Sequence, residues 1–258
     1  MRKLLTSLGV AAALVSLATL SPAHTHAAGE AVELKSVSWK HGGIFGTYDR
    51  AAAQRGLQVY REVCASCHGL GLVAFRTLTD LGFNEEEVKA IAAESEFVDG
   101  PDDVGDMFDR PGKPSDKFPS PFPNEQAARA SNGGAYPVDL SLISKARADG
   151  DNYLYSLLTG YEEPPADVKL ATGMSYNAYF PGHQIAMPPP LMEDGVEYSD
   201  GTPATVDQMA RDVAVFLAWS AEPKMEQRKS LGLKVILFLL ILAGVFYAVK
   251  RKVWSDLH

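Results

Sequence analysis

Two stretches of the chain carry apolar residues at helical spacing. In the first, Ala53, Leu57, Tyr60 and Cys64 recur every three or four positions. That pattern predicts a helix from Asp49 to about Val63, with Asp49 as its N-cap. In the second, Val206, Met209, Val213, Phe216 and Leu217 form an apolar stripe, which predicts a helix from Thr205 to about Ser220. Thr205 and Gln208 have the spacing of a capping box, and Pro223 follows the helix end. Shorter helices are expected over Glu85–Glu94, Glu125–Ala130 and Tyr153–Leu158, the last with Gly160 as C-cap. Gly56 lowers the propensity of the first helix, but its missing side chain lets another helix come close. Strand patterning is weak, and the 16 prolines and 22 glycines cluster in loops. The expected fold is therefore all-α, with short helices joined by long loops and insertions.

Two further apolar runs show no amphipathic period. Leu4–Leu20 follows Arg2 and Lys3, ends at Pro22, and precedes the small residues around Thr25–Ala28. This reads as a secretory signal over residues 1–28, and its removal takes His24 and His26 out of the mature chain. Leu231–Val249 is apolar except for Lys234. At 1.5 Å per residue it spans about 28 Å, close to the hydrocarbon thickness of a bilayer. Lys250, Arg251 and Lys252 follow at once, with Tyr247 and Trp254 placed for the headgroup level. The expected organisation is an exported domain over 29–228, a single membrane helix over 229–250 and a cytoplasmic tail over 251–258. The exported domain then faces the periplasm from the inner (cell) membrane of a bacterium.

Charge changes the picture in one place. The whole chain carries a formal net charge of −8. Between Asp80 and Arg110, eleven acids stand against two bases, a local balance of −9. Such a segment is either a solvated insertion or a docking field for a basic partner, and it disfavours nucleic acid.

The chemistry lies in Cys64-Ala-Ser-Cys67-His68, which contains the only two cysteines of the chain. This is the attachment pattern of a c-type haem: two thiols for the vinyl groups and an adjacent imidazole for the iron. A zinc site would require a second ligand pair, and a thioredoxin-like dithiol a βαβ setting; neither is visible. With both thiols committed to one covalently bound haem c, no cysteine remains for a disulfide. His68 occupies one axial position. For the other, Met107, Met174, Met187 and Met192 remain as candidates, with His183 as a rival. Met209 fits the apolar helix stripe. Met187 precedes three prolines, Pro188–Pro190, and a stiff loop suits a weak thioether ligand.

Beyond the haem pattern, a set of segments resembles the cytochrome c1 family, the haem subunits of ubiquinol–cytochrome c reductase (the cytochrome bc1 complex). They are Tyr60-Arg-Glu-Val-Cys-Ala-Ser-Cys-His, Phe122-Pro-Asn-Glu-Gln-Ala-Ala-Arg-Ala, Leu158-Thr-Gly-Tyr-Glu-Glu-Pro-Pro and Ile185-Ala-Met-Pro-Pro-Pro-Leu. Asp200-Gly-Thr-Pro-Ala-Thr, Phe216-Leu-Ala-Trp-Ser-Ala-Glu-Pro and Arg228-Lys-Ser-Leu-Gly-Leu-Lys complete the set. The resemblance implies that Met187 is the sixth ligand and that Arg129 partners a haem propionate. It also implies electron transfer from a Rieske iron–sulfur protein to a cytochrome c, beside a cytochrome b subunit, in a dimeric complex embedded in lipid. A free-standing membrane cytochrome feeding a terminal oxidase, and a haem enzyme or gas sensor with an open iron site, are the competing readings.

Overall fold

The computed structural model describes residues 32–255. The segment read as a signal, and the last three residues of the tail, lie outside them.

Helix α1 (Arg50–Glu62) begins where the Asp49 carboxylate accepts the Ala52 N–H at 3.2 Å. It packs along α5 (Val206–Ala221), whose N-cap Thr205 accepts the Gln208 N–H at 3.1 Å. Thr205 caps without the reciprocal bond of a capping box, because the Gln208 amide turns instead to Asp212, 3.0 Å away. The reciprocal box forms at α2 (Glu85–Ala93), between Asn84 and Glu87.

Gly56 is where α1 and α5 touch. A Cβ there would lie 2.1 Å from the Asp212 carbonyl oxygen and 2.7 Å from the Phe216 Cβ. Because one obstacle is backbone, the helices would have to separate. Gly56→Ala is therefore expected to destabilise the protein by about 1–3 kcal/mol, despite alanine's better helix propensity. Chemical denaturation in detergent measures this; an unchanged or raised midpoint would contradict the contact. The aromatic core grows from the same seam. Tyr60 lies 5.8 Å from Phe216 and 5.9 Å from Phe118, and Phe118 lies 4.3 Å from Phe75. Met209 is fully enclosed, as the helix stripe predicts.

The acidic segment contains a hairpin that the sequence pattern did not reveal. Strands β1 (Glu96–Asp99) and β2 (Phe108–Pro111) pair antiparallel. Arg110 ties Asp99 at the hairpin to Asp116 beyond it. Asp102 accepts the N–H groups of Val104 at 3.0 Å and Asp106 at 2.9 Å, closing the turn. Several of the acids are thus spent on local folding rather than held free.

Helix α3 (Glu125–Ser131) is capped by Asn124. Helix α4 (Gly150–Leu158) starts three residues before the expected Tyr153, after Asp149 at φ 48°. Gly150 is required there, since a Cβ would fall 1.8 Å from the Ser144 oxygen. The helix packs against α5. A short antiparallel pair, β3 (Ser175–Tyr176) and β4 (Gln184–Ile185), follows. The last element is α6 (Met225–Trp254), 30 residues long. Its first turn is held to the domain: Met225 is buried, and Glu226 pairs with Arg50 and accepts the Tyr48 N–H at 2.8 Å. From Leu231 onward its apolar side chains are bare, with Phe238 62% and Ile241 70% exposed. A core helix would bury them; a transmembrane helix gives them to lipid. The fold is a mostly helical domain with two small hairpins and one transmembrane helix.

Candidate haem-binding site

The cysteine run leaves α1 through a tight turn over Cys64–Ser66. The Cys64 carbonyl accepts the N–H groups of both Cys67 at 3.1 Å and His68 at 2.9 Å. Both cysteines are free thiols, half-buried. Burial pushes the Cys64 thiol up to about 12, so it stays protonated and apolar in this setting. Among the described residues no three His, Cys, Asp or Glu side chains converge as a metal-ligand group.

His68 is oriented by its surroundings. Its Nδ1 lies 2.7 Å from the Val138 carbonyl oxygen. A carbonyl only accepts, so Nδ1 carries the proton and Nε2 keeps its lone pair. Burial also pushes the imidazole pKa down, which favours the neutral form. Nε2 has no hydrogen-bond partner among the described residues. The backbone behind the ring is fixed from two sides. Tyr60 Oη donates to the His68 carbonyl at 3.1 Å, and Asp139 accepts the Gly71 and Ser141 N–H groups at 2.8 Å each. A cavity of about 250 Å³ opens beside Cys67 and Gly69, with Ala128, Tyr136 and Asp139 in its walls.

Met187 follows β4. Its carbonyl accepts from Tyr161 Oη at 3.1 Å. Buried Asn177 ties the loop to α4: its amide donates to the Leu157 carbonyl at 2.8 Å, and its backbone N–H to the His183 carbonyl at 3.0 Å. The Cys-His turn hangs on α1 and the Met187 loop on α4, and both helices pack on α5, which serves as a common wall. Of the other methionines, Met107 is 59% and Met192 71% exposed, while Met209 and Met225 are core. Met174 is 39% exposed, and Met187 is half-buried. His183 sits at φ 57° with its ring 5.7 Å from Tyr176.

Arg129 lies on α3, whose Glu125 and Ala128 line the same cavity as Cys67. Its guanidinium is held by Glu125 at 2.7 Å and by the Gly134 carbonyl at 2.9 Å, over the Tyr136 ring. It is therefore a cation at the cavity rim with a carboxylate already beside it. The Val138 carbonyl, Tyr161 Oη and Asn177 are positioning groups that side-chain patterns did not single out. Val138 acts through its backbone and leaves no signal in residue type. Tyr161 stands within one of the resembling segments, but its bond to Met187 spans 26 positions.

The donor set fits a c-type haem: two unpaired thiols on one turn, a neutral imidazole with a free Nε2, and a half-buried thioether on a braced loop. Comparison with known proteins gives the family. The model of the Cytochrome C1 family matches residues 39–257. Cytochrome c1 of Rhodospirillum rubrum is 51% identical, with 96% of this chain and 96% of that protein aligned. A mitochondrial cytochrome c1 haem protein of Solanum tuberosum is 55% identical over 88% of this chain and 87% of its own. Its counterpart in Saccharomyces cerevisiae is 53% identical over 90% and 75%. The match runs from before the cysteine turn to beyond the membrane helix, and on that extent the chain belongs to the cytochrome c1 family.

Proposed function

We propose that this chain is the electron-relaying haem subunit of a cytochrome bc1 complex. The observation that carries the reading is His68, kept neutral by burial and oriented by Val138, directly after two unpaired thiols. Cys64 and Cys67 would tether the haem covalently, and His68 Nε2 and the Met187 thioether would hold its iron. Bound in this way, haem c supplies a one-electron site and needs no proton or bond made at the metal. The residues do the rest. Val138 fixes the tautomer, Tyr161 and Asn177 brace the Met187 loop, Pro188–Pro190 stiffen it, and Arg129 offers a cation to a propionate. In the assembly the chain would take electrons from the Rieske iron–sulfur protein and deliver them to a cytochrome c. Its α6 helix would lie in lipid beside the cytochrome b subunit, in a dimeric complex. The domain over 29–228 is read as periplasmic and the tail over 251–258 as cytoplasmic, on the evidence of Lys250, Arg251 and Lys252. Purification in mild detergent with subunit identification tests this: cytochrome b and Rieske subunits are expected with the chain. Isolation of the chain without them would favour a free-standing cytochrome.

The acidic face makes a separate prediction. Glu86 is 82% exposed on the first turn of α2. Replacing Glu85, Glu86 and Glu87 by Gln keeps the Glu87 capping geometry, since glutamine also serves at that position. Electron delivery to a basic acceptor should slow up to about tenfold at low salt, with the difference vanishing as salt rises. Stopped-flow rates at two ionic strengths measure it; equal rates at both would remove this cluster from docking.

A further inference from the structure

The loop Gly42-Gly-Ile-Phe-Gly46 exposes two large apolar side chains that nothing in the domain covers: Ile44 is 71% and Phe45 81% exposed. The base of the loop is built, not slack. Thr47 N–H reaches the Lys40 carbonyl at 3.1 Å, and Gly42 N–H the Trp39 carbonyl at 2.9 Å. Gly46 folds so tightly over the near arm that a Cβ would lie 1.9 Å from the Gly42 oxygen. Beneath it His41 is buried, its ring beside Trp39 and Tyr48 and its Nε2 2.8 Å from Asp151.

The position of the loop is set by α6. Lys229 Nζ donates to the His41 carbonyl at 2.7 Å and to the Gly46 carbonyl at 3.2 Å, so one side chain of the helix clasps both arms. Lys229 precedes Leu231, where the bare apolar span begins, by only about 3 Å of helix rise. The tip carries no charged residue. An uncharged, braced tip of one aliphatic and one aromatic side chain, held at the depth where a transmembrane helix enters lipid, has the chemistry of an interfacial anchor. We propose that Ile44 and Phe45 dip into the bilayer at the headgroup–acyl boundary, a second membrane contact that fixes the tilt of the haem domain over the membrane. The lipid is favoured as occupant because Lys229 ties both arms of the loop to α6 two residues before its exposed apolar run begins at Leu231.

The inference rests on α6 spanning the membrane, so the test reads both. Nitroxide labels are placed singly at Phe45→Cys, Leu240→Cys and Val104→Cys in the full-length, haem-loaded chain, kept in its membrane assembly in phospholipid nanodiscs. Power-saturation EPR then compares collisions with oxygen and with a water-soluble nickel chelate. The expected result is a higher oxygen-to-nickel ratio at 45 than at the water-exposed hairpin position 104, with nickel also excluded at 240. A ratio at 45 equal to that at 104, with nickel still excluded at 240, overturns the anchor and leaves the span intact. A label at 45 that is immobile and shielded from both reagents also overturns it, because a protein surface then covers the loop. Nickel access at 240 overturns the span itself and the anchor with it.

Discussion

Met187→Leu is expected to keep the fold and lower the reduction potential. Leucine has nearly the volume of methionine and no sulfur, a swap that cores tolerate well. The loop that carries the residue is braced by Tyr161, through the Met187 carbonyl, and by Asn177, through the Leu157 carbonyl, bonds that do not use the side chain being changed. On the proposed ligation, what is lost is a thioether of the kind that raises the potential of His/Met cytochromes. Axial ligands move haem potentials across about 0.8 V in all, and a fall on the order of 100 mV or more is expected here. Redox titration measures it. The Met–iron charge-transfer absorption of the oxidised protein should vanish, and the reduced protein should gain carbon monoxide binding. A variant with native potential and native spectrum would remove Met187 from the iron and turn attention to His183.

Arg55→Met is expected to cost about 3–5 kcal/mol of stability. Asp212 is 1% exposed on α5, at the very contact where Gly56 lets the helices meet. Its two oxygens accept from Arg55 Nε at 2.8 Å and Nη2 at 3.0 Å. The paired carboxylates hold the Arg55 guanidinium pKa above its ordinary value, the Asp212 bond being the main cause. Removing the guanidinium strands a buried carboxylate whose neutral neighbour, the Gln208 amide, cannot balance its charge. The double variant Arg55→Met/Asp212→Leu removes both charges and should recover most of the loss, because an apolar pair of similar volume packs where the ion pair stood. Denaturant midpoints of the two variants in detergent separate the outcomes. A small effect of the single change, with no recovery in the double, would show that the pair is solvated.

These two sites differ in how far residue patterns announced them. The helices at the seam were legible because their signals are local: Asp49 and Thr205 at the starts, apolar residues at fixed spacing, and one glycine where close approach was expected. The Arg55–Asp212 pair spans 157 positions and left no such trace. The β1–β2 hairpin was hidden for the same reason. Its short, acid-rich strands lack alternation, and the cation that steadies it, Arg110, works by tying Asp99 to Asp116. The start of α4 was missed because Asp149-Gly150 looks like a helix breaker, whereas the structure uses that glycine to fit against Ser144. In the site itself, Cys64, Cys67 and His68 form one contiguous run and were plain. Val138 was not, since a backbone carbonyl carries no residue signature. The pairing of Arg129 with Glu125 is an i,i+4 contact of the kind helices favour. Were Arg129 to hold a propionate as proposed, the carboxylate already beside the cation would be displaced or shared.

On the proposed function, one haem is attached through the two thiols of the α1 turn. Intact-mass measurement of the purified full-length chain under denaturing conditions, beside a Cys64→Ala/Cys67→Ala variant, tests it most directly. The native chain is expected to carry the added mass of one haem through denaturation, and the variant is not. A native chain that releases its haem on denaturation, or a variant that retains covalent haem, would contradict it.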